Sequence, residues 1–379
     1  MKERFAIVNA TIVRPDHIIP GGTIVIEDGI IQAFGKKIDT EGMRTVDVGG
    51  AFVGPGLIDV HTHAGDGKFF TDDPVHAAKF VLKHGVTSVM PALYFGFTRE
   101  QYLEAIAKID AAVASGEFPN FGGYYMEGPY LNPKFGCERD KNPWRGPIDA
   151  DMYMPILEAT KDTARVYCVA PERENIEQYV MDVKRINPKA VFSVAHSEAE
   201  PEQIEALMPY GLKLGTHHTN ATGTLEKYPE CRGACVDETV NYNKEIFAEL
   251  ICDSVGIHVA PYNLRLIRKI KGDDRIILIS DTYVCDGPIP EGYDGVTDIN
   301  FDHAGEIAGS NLTLDVACRN FMVHTGCSVC DAFRFASYNP AKMLGLRDVG
   351  EIRVGNRANL VAVDAWFGVQ KVFLEGKEV

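Results

Sequence analysis

The run Pro55-Gly56-Leu57-Ile58-Asp59-Val60-His61-Thr62-His63 constrains this chain more than any other feature. Small and apolar residues lead into two histidines one residue apart, and on a β-strand positions i and i+2 point to the same face. Both imidazoles can then reach one divalent cation at the end of a buried strand. Four further candidate ligands follow, each closing an apolar run of its own. Phe121–Met126 ends in Glu127, Val191–Ala195 in His196, Leu212–Thr216 in His217, and Arg275–Ser280 in Asp281. Short apolar runs with β-branched residues read as strands buried on both faces, as in parallel sheets. Catalytic side chains of a (β/α)8 barrel sit at the C-terminal ends of its strands. Strands ending in His61 and His63, Glu127, His196, His217 and Asp281 therefore predict a crown of nitrogen and oxygen ligands. Such a set suits Zn, Fe, Mn or Co and argues against a thiolate site.

Three more apolar runs, Thr87–Leu93, Val166–Ala170 and Leu250–Ser254, bring the strand count to the eight of a barrel. Helices are expected between them, among others over His76–Lys83, stopped by Gly85, and over Arg99–Ala114. Residues 135–151 are polar and proline-containing, and read as a long loop over the barrel mouth, where loops tend to carry function. Both ends of the chain are instead β-rich. Phe5–Val8, Thr23–Ile26 and Ile30–Phe34 read as strands, the last two joined by an Asp28-Gly29 hairpin turn. Gly350–Gly355, Leu360–Val363 and Val369–Leu374 read as strands at the other end. The expected fold is an α/β (β/α)8 TIM barrel over residues 51–346, with a small β-sandwich assembled from residues 1–50 and 347–379.

The formal net charge of -15 disfavours nucleic acid and anionic membrane as partners. The N-terminal run Met1-Lys2-Glu3-Arg4-Phe5 lacks an apolar h-region, and no apolar stretch approaches the ~20 residues of a membrane span. Nine cysteines, an odd number scattered through core-like runs, point to reduced thiols and a cytoplasmic location. Cys327 and Cys330 have Cys-x-x-Cys spacing without a second thiol pair and read as structural. His218 should face the opposite side of its strand from His217. His17, His76, His84, His303 and His324 close no barrel strand, so they read as ordinary surface or core histidines. Asp253 closes an apolar run without a supporting motif and reads as an indirect partner of the site.

The quoted segments, together with Met126-Glu127-Gly128-Pro129, Thr216-His217-His218-Thr219-Asn220-Ala221, Gly309-Ser310-Asn311-Leu312-Thr313 and Ser337-Tyr338-Asn339-Pro340-Ala341, resemble the amidohydrolase superfamily. Within it they are similar to the N-acetylglucosamine-6-phosphate deacetylases, over nearly the whole chain. The resemblance implies a metal-dependent hydrolase that removes the acetyl group of an N-acetylated amino-sugar phosphate. It implies Glu127, His196 and His217 around a principal metal, and His61 and His63 with bridging Glu127 and nearby Asp281 around a second. Some members lack the His-x-His pair and use one ion. The allowance is thus one or two ions per subunit, zinc foremost, with the retained pair favouring two. The resemblance further implies contacts to the sugar phosphate from Asn220, the backbone of Ala221, His258 and a following arginine, here Arg232, and a homodimer. Three departures bear on the substrate: Glu138 stands where a histidine is usual, Thr282–Asp286 replaces small residues, and the neighbours of Arg232 differ. They keep open an alternative, an amidohydrolase acting on another amide or a cyclic amide.

The chemistry asks for these residue types. Amide hydrolysis near neutral pH needs an activated water, a polarised carbonyl and a proton for the departing nitrogen. Asp281, the acid that ends the last apolar strand, is the expected proton carrier.

Overall fold

Eight parallel strands close a barrel: β1 (Leu57–Thr62), β2 (Val86–Tyr94), β3 (Tyr124–Glu127), β4 (Ala164–Val169), β5 (Val191–Val194), β6 (Leu212–Gly215), β7 (Phe247–Ile251) and β8 (Ile276–Ile279). This computed structural model describes residues 4–379, and Met1, Lys2 and Glu3 of the charged N-terminal run lie outside the described residues. The strands pair side by side in chain order from β1 to β8. Between β8 and β1 the backbone N–H of Asp281 donates to the His61 carbonyl at 3.0 Å, and that of His63 to the Thr282 carbonyl at 3.0 Å. Lower in the same seam the Ser280 hydroxyl donates to the Asp59 carboxylate at 2.6 Å. Nearly every barrel-strand residue is buried, as expected of apolar runs covered by helices outside and side chains inside.

One helix follows each strand: α1 (Pro74–Lys83), α2 (Arg99–Ala114), α3 (Ala150–Thr160), α4 (Ile176–Ile186), α5 (Pro201–Leu207), α6 (Val236–Tyr242), α7 (Pro261–Lys271) and α8 (Leu314–Thr325). Local chemistry sets their ends. Thr98 and Gln101 cap α2 reciprocally, each side chain accepting the other's backbone N–H. Beyond α1 the chain reverses through Gly85 at φ +86°. The stretch 135–149 carries one 3-10 turn, Arg139–Lys141, and is pinned by buried Trp144, whose ring N–H donates to the Phe97 carbonyl at 2.7 Å.

A mixed eight-stranded sheet gathers both termini, with strands Arg4–Val13, Ile18–Glu27, Ile30–Gly35, Arg44–Asp47, Phe52–Pro55, Leu360–Val363, Val369–Leu374 and Lys377–Glu378. It closes on its own apolar cluster, with Phe5, Ile7, Ile24, Val53, Leu360 and Phe373 buried together. Asp28 and Gly29 both take positive φ, 50° and 78°, as the two-residue hairpin turn requires. The strand Phe52–Pro55 belongs to this sheet, pairing with Leu360–Val363, and leads directly into β1. Gly56, at that junction, has no room for a side chain, since a Cβ would lie 2.1 Å from the Thr87 hydroxyl oxygen.

Two expectations are corrected. Gly350–Gly355 is not a strand. Ile352 is buried, but the chain turns at once, Asn356 N–H donating to the Arg353 carbonyl at 3.0 Å. The seventh barrel strand is Phe247–Ile251 rather than a run through Ser254, so Asp253 lies beyond the strand end.

Candidate active site

Glu127, the last residue of β3, is the hub on which the strand ends converge. Its Oε1 lies 2.9 Å from His196 Nε2 and 3.4 Å from His217 Nε2. Its Oε2 lies 3.2 Å from His63 Nε2 and 3.7 Å from His61 Nε2. Asp281 Oδ1 approaches the same two nitrogens of His61 and His63 at 3.5 and 3.4 Å. Two groups therefore share one carboxylate, His61–His63–Glu127 and Glu127–His196–His217, and within each the ligand atoms lie within 4.8 Å of one another. All six side chains are buried.

The donor set fits a divalent cation. His196 Nε2 and His217 Nε2 face each other at 3.1 Å, a contact in which one nitrogen must present a lone pair. His61 Nε2 is buried with no hydrogen-bond partner, a costly state that coordination would relieve. Three of the residues also hold unusual backbone. His196, His217 and Asp281 take φ of 44°, 31° and 48°, a left-handed conformation rare outside glycine. Each stands two residues beyond its strand, at the bend that turns the side chain inward. Such strain persists where surrounding structure enforces it, and it clusters at functional sites.

Electrostatics agrees with the geometry. Burial pushes the Glu127 carboxyl upward, but His61, His196 and His217 outweigh it and hold the group well below the ordinary carboxylate range. Asp281, also opposed by burial, is lowered by His61 and His63. Burial disfavours charge on His61, yet Asp281 and Glu127 raise it well above a free imidazole. In His196 burial prevails and the pKa is lowered. Protons thus compete for the same nitrogens as a cation would, and binding of one would release them.

Further contacts orient the ligands. His61 Nδ1 meets the buried carboxylate of Glu249 at 3.4 Å, and its ring stacks on Tyr125 with centroids 4.2 Å apart. Glu249, in the middle of β7, also accepts the Tyr125 hydroxyl at 3.0 Å. That hydroxyl joins Thr216 at 2.8 Å and, through Thr216, Ser193 at 2.6 Å, a polar chain across the barrel interior. His217 Nδ1 donates to the Asn220 carbonyl at 3.1 Å. Asp253 accepts backbone N–H groups from Val255, Gly256, Ile257 and His258 and contacts His258 Nδ1 at 2.9 Å. Against burial, these donors hold its carboxyl well below the usual range.

Above the crown lies a cavity of ≈ 330 Å³. Asn220, Ala221 and His258 line it beside His63, Glu127, His196, His217 and Asp281. The side-chain nitrogen of Asn220 is buried there without a partner, and His258 Nε2 contacts the Gly309 carbonyl at 3.1 Å. Arg232 is placed elsewhere. It ends a short hairpin, is 75% exposed, and pairs with Glu238 at 3.2 Å. His218 faces away, its Nε2 3.2 Å from Asn241 Oδ1. His17, His76, His84 and His303 pair with acids outside the crown, and His324 contacts the Asp253 carbonyl. Glu138 pairs with Lys141 and does not line the cavity, whereas its neighbour Arg139 does. Tyr283, from the unusual 282–286 segment, forms an aromatic wall with Tyr94, ring centroids 5.8 Å apart. Sequence reasoning marked Tyr283 only as part of the 282–286 departure and missed Glu249, Arg139 and Tyr94. Of the missed three, only Glu249 left a signal, an acid inside an apolar run.

Comparison with known proteins adds four findings. The profile of the amidohydrolase family matches residues 52–379. An N-acetylgalactosamine-6-phosphate deacetylase of Escherichia coli O157:H7 is 28% identical over 371 residues, covering 93% of each chain. Among solved structures, an N-acetylglucosamine-6-phosphate deacetylase of Thermotoga maritima superposes with TM-score 0.82 at 26% identity, covering 99% of both chains. A mutant N-acetyl-D-glucosamine-6-phosphate deacetylase of Mycobacterium smegmatis, in complex with N-acetyl-D-glucosamine-6-phosphate, superposes with TM-score 0.83 at 25% identity and the same coverage.

Proposed function

Because this chain belongs to the amidohydrolase family, we propose that it hydrolyses the acetamide of an N-acetylated amino-sugar phosphate, releasing acetate and the free amine. The observation that carries this reading is the Glu127 hub, which gathers two sets of nitrogen and oxygen donors at the floor of a cavity large enough for one small molecule. The deacetylases similar to this chain act, by their names, on that substrate class.

In this reading Glu127, His196 and His217 would hold one ion, and His61 and His63, with Glu127 shared and Asp281 nearby, would hold a second. Zinc is the first candidate, with iron, manganese or cobalt suited to the same ligands. A divalent cation there supplies a Lewis acid for the acetyl oxygen and acidifies water. The remaining work falls to the chain. Asp281, kept ionised by His61 and His63, takes the proton of the attacking water and returns it to the departing nitrogen. Glu249 and the Asn220 carbonyl fix the ring orientations of His61 and His217. The unpartnered amide of Asn220, the backbone at Ala221 and His258 orient the sugar. Arg232 does not line its own chain's cavity, so a role on the phosphate requires a second copy, the homodimer of the sequence reading.

Among the described residues no helix is long and apolar enough to cross a membrane. All nine cysteines are free thiols, which suits the reducing cytoplasm proposed here.

Acetate release from N-acetylglucosamine and N-acetylgalactosamine phosphates tests the assignment. Turnover of at least one is expected. Turnover of none, with hydrolysis of some other amide, would transfer the chemistry to the alternative substrate class. Glu249→Gln keeps shape but replaces the charged partner of His61, and a fall of about 10- to 100-fold in metal affinity or kcat is expected. Titration with a competing chelator measures it, and an unchanged affinity and rate would leave Glu249 with only a structural part.

A further inference from the structure

The cavity carries two cations of its own, Lys134 and Arg139, which no motif points to. Arg139 has the geometry of an anion receptor. Its Nη1 and Nη2 donate to the two oxygens of Glu306 at 2.7 and 2.8 Å, and Nη1 also donates to the Gly136 carbonyl at 3.1 Å. A guanidinium fork laid against a carboxylate is already arranged for a phosphate, which presents the same pair of oxygens with more charge. Glu306 lines the same cavity, so exchange of the carboxylate for a ligand's oxygens needs no movement of Arg139 out of the site. The two side chains are 40% and 47% exposed, so water screens their attraction and a dianion can compete for the fork. Lys134 differs. It is a point charge, 62% exposed, and its partner Glu198 does not line the cavity.

We propose that Arg139 binds the anionic end of the substrate, and that Glu306 holds the guanidinium in register until a phosphate ester displaces it. The assignment rests on the amino-sugar phosphate reading and adds to it the residue that reads the phosphate within a single chain. The loop that departs from the deacetylase pattern at Glu138 thereby supplies a receptor one position later.

The test is calorimetric titration of the metal-loaded protein with glucosamine-6-phosphate and galactosamine-6-phosphate, and with the two unphosphorylated amines. Wild-type protein should bind a phosphorylated amine more tightly than its unphosphorylated counterpart. Arg139→Gln should weaken the phosphorylated ligand by about 10- to 100-fold while leaving the plain amine unchanged. Arg139→Lys should recover part of the loss, because charge survives without the fork. Glu306→Gln should keep or improve phosphate affinity. Equal phosphate affinity in wild type and Arg139→Gln, or no preference of the wild type for phosphate, overturns the proposal. Acetate release measured in parallel separates the two assignments. Arg139-dependent phosphate binding without any acetate release would sink the deacetylase reading alone. Acetate release with an Arg139-independent KM for the sugar phosphate would sink the Arg139 assignment alone.

Discussion

Asp281→Asn is expected to lower kcat by about 10³- to 10⁴-fold while the protein keeps most of its metal. The substitution preserves the shape of the side chain and one oxygen near His61 and His63, and removes the ability to accept a proton. Asp281 suits that task for three reasons. It is buried against His61 and His63, two members of one ligand group. It is ionised under ordinary conditions, the imidazoles outweighing the cost of burial. Its backbone is locked between β1 and the short strand Ile307–Ser310, with its N–H on the His61 carbonyl at 3.0 Å and its own carbonyl accepting from Ser310 at 2.8 Å. A carboxylate so held is in place before the substrate arrives, which is what proton transfer in a transition state rewards. The check is kcat by acetate release alongside elemental analysis of the same preparation. Near-normal turnover would remove Asp281 from the mechanism.

Glu127→Gln should do more harm to metal content than any other single change. Glu127 alone belongs to both ligand groups, and a carboxamide offers one oxygen where the carboxylate offers two. One side of the hub then meets an N–H₂ group, which donates hydrogen bonds and does not coordinate. The expected result is retention of at most one ion per chain and a loss of activity of roughly 10³-fold or more. Circular dichroism should remain that of a folded barrel, since the substitution is nearly isosteric. Full metal content by elemental analysis would mean that Glu127 does not bridge, and the two groups would have to be treated as separate sites.

The part of this site that lies at strand ends was legible in the sequence, and the rest was not, for physical reasons. His61, His63, Glu127, His196, His217 and Asp281 each interrupt or close an apolar run. A barrel brings every such closing residue to one face, so linear spacing already implied convergence. Glu249 broke the same logic. It sits inside β7, and a charge within the run Phe247–Ile251 reads as a strand boundary, which displaced the expected strand to Leu250–Ser254. Its carboxylate instead points into the barrel, where Oε2 meets Tyr125 and His61 while Oε1 is buried without a partner. Arg139 gave no signal because an arginine in a polar loop usually faces solvent. Only the contact with Glu306, far along the chain, places it at the cavity. Gly350–Gly355 alternates like a strand, but a buried Ile352 followed by a tight turn produces the same pattern without a partner strand. Arg232 shows the reverse. Its position in sequence suggested a phosphate contact, and the hairpin that carries it leaves the side chain in solvent.

The most direct test of the account is the dependence of acetate release on bound metal. Purified protein should carry one or two divalent transition ions per chain by elemental analysis. Exhaustive chelation should abolish acetate release, and readdition of zinc, iron, manganese or cobalt should restore it. Full turnover by protein shown to be free of metal would contradict the central claim that Glu127 and its histidine neighbours work by holding a cation.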